Sequence, residues 1–177
     1  MKNKLVCLLA LISLASATSS WANRSLDEYT LKAALMVKLV RFIYLPETKQ
    51  DLTQLNLCVI GSNPFGTSLN KLTENPVEGI KINIKNLAKY NNEVCDFSFI
   101  TQATTPAARS RLLTHLKQHH SVTISDVPNF TQQGGMVELA LPATGEARLQ
   151  ILVNIKNAEE QQIKFSAQLL RLANLVS

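Results

Sequence analysis

The chain has 177 residues, 46% of them hydrophobic, with 18 basic and 13 acidic side chains and a formal net charge of +5. That length supports one domain with a core of its own and no need of stapling. The basic residues are scattered and aromatics make up only 6%, a composition that argues against nucleic acid as a partner.

The first residues read as an export signal. Lys2 and Lys4 form a short basic start, and Leu5 to Ala17 is an apolar run of signal-peptide length. Small-residue cleavage sites end at Ala17 and at Ala22. The second is preferred, dividing the chain into a signal peptide, 1–22, and an exported domain, 23–177. A retained membrane anchor is the competing reading. Removing Lys2 and Lys4 takes two positive charges from the formal +5.

Ser25 followed by Glu28 has the spacing of a capping box and predicts a helix from Leu26 to Tyr44, stopped by Pro46. Leu26, Tyr29, Ala33, Val37 and Val40 fall near one face; Leu31, Leu35, Phe42 and Ile43 widen it. A polar linker follows, then LNLCVIG, whose near-continuous apolar character suits a strand covered on both sides. NPFGTSLNKL predicts a turn and short helix. Strands are expected at 55–60, 80–84, 95–100, 121–125, 136–141 and 148–155. Thr105 and Pro106 open a helix as N-cap and first helical residue. KNAEEQQ predicts a short helix, IKFS a short strand and AQLLRLANLV a closing helix. The expected fold is α/β: a single-domain three-layer sandwich with a mixed, mostly parallel sheet flanked by helices.

Gly61 and Gly66 have the separation found in phosphate-binding loops. Thr67 stands where the phosphate-reaching lysine belongs, and Pro64 removes a backbone donor. These glycines therefore read as a sharp strand-to-helix turn, leaving only a weak anion site at the helix start. His115 and His119 stand four apart on a predicted helix, a spacing that can hold zinc. HLKQH lacks the glutamate of the zinc-protease motif and no third ligand is near, so solvent-facing histidines at a helix end are preferred. Ser125 and Asp126 are merely adjacent, and Glu159 and Glu160 read as a solvated face. No catalytic set, metal site or cofactor motif emerges.

Cys7 leaves with the signal peptide, so Cys58 and Cys95 remain. They are either two buried thiols acting as small hydrophobes or a disulfide. Export favours the bond, which would contribute at most about 4 kcal/mol by closing its loop. It requires the two cysteine-bearing strands to be neighbours, an arrangement expected to strain the bond.

Several segments together resemble one family. EYTLKAALMVKLVRFIYLP resembles the first helix of YfiR-like periplasmic proteins, and LCVIGSNPFG and CDFSFI resemble their cysteine-bearing strands. TISDVPNFTQQGGMVEL is similar to the family's Ser-Asp, Phe, Gly-Gly-Met stretch, and ILVNI with IKFSAQLLRLA to its C-terminal signature. The resemblance implies an α/β fold, export to the periplasm, no enzymatic activity and no cofactor. It implies a repressor that binds the periplasmic domain of a membrane-bound diguanylate cyclase and lowers cyclic di-GMP, with an outer-membrane lipoprotein as a second partner and a homodimer as the assembly. The cysteines matching Cys58 and Cys95 form a disulfide in the family, and redox state is part of the control. Phe130, Gly134, Gly135 and Arg171 are the candidate partner-binding residues. Three features depart from the family: Leu45 stands where tryptophan is common, Val37 and Leu39 replace aromatics, and no cysteine follows Cys95. A periplasmic small-ligand-binding sensor is the alternative function.

Overall fold

The computed structural model describes residues 19–47, 53–141 and 149–176. Most of the predicted signal peptide and the loop before Leu149 lie outside them. The expected three-layer α/β sandwich is what forms. In chain order the elements are α1 (Ser19–Leu39), β1 (Ile43–Tyr44), β2 (Gln54–Ile60), α2 (Ser68–Leu72), β3 (Lys81–Leu87), β4 (Phe97–Ile100), α3 (Pro106–Gln118), β5 (Val122–Ser125), β6 (Val137–Ala140), β7 (Gln150–Asn154), α4 (Ile155–Glu159), β8 (Lys164–Phe165), α5 (Ala167–Leu172) and β9 (Asn174–Val176).

Seven strands form the main sheet in the order β3-β2-β4-β5-β6-β7-β9. The run from β3 to β6 is parallel, β7 is antiparallel to β6, and β9 is parallel to β7. Alternation along the strands separates two cores. Leu57 and Val59, Phe97 and Phe99, and Val122 and Ile124 face α1 and α2 in one cluster. Cys58, Ile60 and Ile100 meet Leu112, Leu113 and Leu116 of α3 in the other. Burial on both faces explains the near-continuous apolar character of β2 and β4.

Four sequence expectations need correction. The first helix starts at Ser19 and ends at Leu39, rather than spanning 26–44. No glycine or proline interrupts it before Ser25. At its far end the chain turns through Val40–Phe42 and becomes extended, because Ile43 and Tyr44 pair with Phe165 and Lys164 of β8. Its buried stripe is Ala33, Met36, Val37 and Val40, while Leu31 lies exposed. The closing helix stops at Leu172, where Asn174–Val176 joins the sheet beside β7. Cys95 precedes β4 rather than beginning it.

The fourth correction concerns the weak anion site at the helix start, since the glycines form the expected turn. Gly61 and Gly66 both have positive φ, at 108° and 55°, so their role is the turn itself. A Cβ at Gly61 would come within 2.2 Å of Thr101 Oγ1. Asn63 Oδ1 accepts the Phe65 N–H at 2.8 Å and occupies the turn. The helix beyond is only five residues long, too short to make an anion site.

Candidate functional site

Beside the carboxyl end of β4, the loop from the carboxyl end of β5 to the amino end of β6 is tied down by buried polar groups. Ser125 Oγ donates to the Ile100 carbonyl at 2.6 Å and accepts the Val127 N–H at 3.1 Å. Phe130 is fully buried beneath the loop. A Cβ on Gly135 would lie 2.1 Å from its ring, so only glycine lets the backbone cross there. Gly134 has φ +97°, and its carbonyl accepts from the Asn157 side chain. The two candidate glycines therefore differ in role, a positive φ at Gly134 and a close approach at Gly135.

Glu138 makes the loop rigid. It sits on β6 with 5% exposure and accepts the N–H groups of Asn129 and Thr131 at 3.1 and 3.3 Å and the Thr131 hydroxyl at 3.2 Å. Arg109, 6% exposed on α3, donates to Gln133 Oε1 and to the Thr104 carbonyl, both at 3.0 Å. Asn154 Nδ2 donates to the Thr131 carbonyl at 3.0 Å. These bonds hold the segment from Asn129 to Gln133 in one backbone shape.

Asp126 begins this loop and docks α1 against it. Lys32, 2% exposed, lies 2.7 Å from Asp126 Oδ2 and also pairs with Glu28. Tyr29 donates its hydroxyl to the same oxygen at 2.7 Å, and Lys32 Nζ sits 4.5 Å from the Tyr29 ring. Burial holds the Tyr29 phenol far above its ordinary range, with the hydrogen bond to Asp126 and the charges of Asp126 and Glu28 adding to it. Tyr29 in turn meets Phe65 edge-on, and Phe65 meets Phe99.

Lys32, Arg109 and Glu138 were missed by sequence reasoning, although each left a signal. Lys32 interrupts the apolar run of the first helix. Arg109 has i, i+3, i+4 and i+7 spacing with Leu112, Leu113 and Leu116. Glu138 stands in the middle of MVELAL. A charge on an apolar stripe marks a buried, partnered group.

The second feature is the disulfide. Cys58 and Cys95 are bonded, with Cα atoms 5.8 Å apart. Because β3 and β4 are parallel and flank β2, the chain must return from the end of β3 to the start of β4. It does so across β2 on the α3 side, where Tyr90 and Cys95 pack with Cys58, Ile60 and Leu112. The strands expected to be neighbours are neighbours, but Cys58 lies opposite Ser98, not Cys95. The bond therefore joins a strand to the crossover above it, and the expected strain of a bond between facing strands does not apply.

His119 is exposed as expected, and His115 is not. His115 is half-buried between Tyr90 and His119, at 5.3 and 4.8 Å between ring centroids, and its Nε2 is buried with no hydrogen-bond partner. His120 Nδ1 lies 2.9 Å from the Gln161 carbonyl. Among the described residues no group of three or more histidine, cysteine or acidic side chains could hold a metal. Arg171 is exposed on α5, away from the paired groups of the loop.

The profile of the YfiR/HmsC-like family matches residues 29–174. No curated protein matches the chain. A crystal structure of a conserved domain protein from Vibrio cholerae O1 biovar El Tor has a similar fold, with a TM-score of 0.54 at 12% identity. The similarity covers 84% of this chain and 60% of that one.

Proposed function

Since the chain belongs to the YfiR/HmsC-like family, whose members are periplasmic regulators of cyclic di-GMP signalling, we propose that it represses a membrane-bound diguanylate cyclase by binding the cyclase's periplasmic sensor domain. The carrying observation is the family match from Tyr29 to Asn174, which takes in both cores and the loop. The paired loop supports this reading, since a backbone already held in one shape loses little freedom on binding. Phe130 acts from below by holding that shape, while exposed Gly134 and Arg171 are candidate contacts. Among the described residues no helix is long and apolar enough to cross a membrane. Partner sequestration by an outer-membrane lipoprotein, homodimer formation and redox control through Cys58 and Cys95 belong to the same proposal.

The test is co-expression with a membrane-bound diguanylate cyclase that carries a periplasmic sensor domain, measuring cyclic di-GMP and biofilm, and pull-down of that isolated sensor domain. The expected result is lower cyclic di-GMP and a stable complex. Unchanged cyclic di-GMP together with no complex would overturn the proposal.

A further inference from the structure

The sheet order reverses at β2: the chain steps from β2 to β3 on one side and returns to β4 on the other. In open α/β sheets the crevice at such a point, outside the carboxyl ends of the strands, is where small ligands are taken. Here a cavity of about 600 Å³ opens at that place on the α3 side, a size suited to a small molecule. Gly61 and Ser62 lie at the end of β2, Lys89 and Tyr90 line the cavity after β3, and Thr104 and Arg111 line it at the start of α3.

The charge around this cavity is one-sided. Lys89 and Arg111 are exposed, and neither has an ion pair among the described residues. Nearby Lys85, by contrast, is held by Glu93 at 2.5 Å. Among the described residues no carboxylate lines the cavity. The first turn of α3 also borders it, adding the positive end of a thirteen-residue helix. Apolar and ring surface is present too, from Ile60, Leu112, Tyr90 and His115.

We propose that this crevice binds a small organic anion, its carboxylate or phosphate held between Lys89 and Arg111 at the start of α3 and its carbon frame against Tyr90. The disulfide positions one wall. Lys89 and Tyr90 belong to the crossover whose far end Cys95 ties to Cys58, and the Tyr90 hydroxyl donates to the Glu93 carbonyl at 3.0 Å within it. Reduction by a dithiol, which gives two electrons and two protons to the bond and is itself oxidised to a disulfide, leaves two thiols, frees that wall and weakens binding. By linkage, an occupied crevice makes the bond harder to reduce. The inference does not rest on the repressor reading: a failed ligand titration leaves the cyclase assay standing, and the reverse holds.

The test is a ¹⁵N–¹H NMR titration of the oxidised mature chain with inorganic phosphate, then phenyl phosphate, at constant ionic strength. The amides of Gly61, Ser62, Thr104 and Ala108 should shift together along one saturating curve. Phenyl phosphate should bind more tightly than phosphate. The Lys89→Gln/Arg111→Gln variant should lose at least about tenfold in affinity; both side chains are exposed, and spectral dispersion checks its fold. Lys117→Gln, which removes an exposed lysine paired with Glu160 outside the cavity, should bind as the unaltered chain does. Non-saturating shifts, or an equal loss in the Lys117 variant, would overturn the site. Equal affinity for the two phosphates would overturn the organic anion, and equal affinity before and after reduction would overturn the role of the disulfide.

Discussion

Gly135 shows how one missing methyl group fixes a loop. Its Cβ would lie 2.1 and 2.2 Å from two ring atoms of Phe130, which is itself fully buried and has nowhere to retreat. Gly135→Ala should therefore cost about 1–3 kcal/mol and lower the melting temperature by about 2–4 °C per kcal/mol. Adding Phe130→Leu should recover part of the loss. Calorimetry of the unaltered chain and the two variants checks this, and an unchanged melting temperature for Gly135→Ala would remove the ring contact from the account. Tyr29 gives a prediction of a different kind. Losing its hydrogen bond to ionised Asp126 in Tyr29→Phe should cost about 1.5–3 kcal/mol near neutral pH. Burial, then Asp126, raises the folded phenol above the ordinary value of 10.0. Above that pH the unfolded chain binds fewer protons than the folded one, so stability falls as pH rises. Tyr29→Phe lacks this loss. Its deficit against the unaltered chain should shrink between about pH 9 and about pH 11 in urea denaturation; a constant deficit would contradict the assignment.

At the scale of elements, the unusual connection is the one from β3 to β4. It has no helix, yet it must carry the chain back across β2 to a parallel neighbour. The disulfide does there what a packed helix does elsewhere, fixing the crossover against the sheet. Cys58→Ala and Cys95→Ala should each lower stability by at most about 4 kcal/mol. The double variant should cost little more than either, because both changes break the same bond. Reductant should destabilise the unaltered chain and leave the double variant unaffected. Thiol counting under denaturing conditions, before any reductant, should find no free thiol at these positions. The helix α1 is attached in another way. Its apolar stripe covers the opposite face of the sheet, and Lys32 fastens it to the loop after β5 through Asp126.

At the scale of the whole molecule, the charged groups that the sequence scatters are gathered at the carboxyl edge of the sheet. Glu28 and Lys32 are one helical turn apart on α1, and the strand order brings them together with Asp126, Arg109 and Glu138 around the loop after β5. Export decides which chain carries this arrangement. Cleavage after Ala22 would remove Ser19–Ala22, the first turn of α1, and leave Ser25 two residues from the new terminus. Amino-terminal sequencing of the exported protein should begin at Asn23. A start at Thr18 would move the cut to the earlier site, and a start at Met1 would show a retained leader.

Chemistry that is local in the chain was legible in the sequence. The six long strands appear within a few residues of their expected places, and the unbroken apolar runs of β2, β4, β5 and β6 reflect burial on both faces. Thr105 caps α3 as its residue type predicts, accepting the Ala108 N–H. The glycine-rich turn is a turn because its positive φ values suit no other residue so well. What depended on distant pairing was not legible. The end of α1 became β1 only because β8 lies beside it, and the last residues became β9 only because β7 offered a free edge. Cysteine count and compartment pointed to a bond between Cys58 and Cys95. That Cys95 sits on a crossover, with a basic crevice beside it, follows from the reversal of strand order, a property of how parallel strands are connected rather than of any local run of residues.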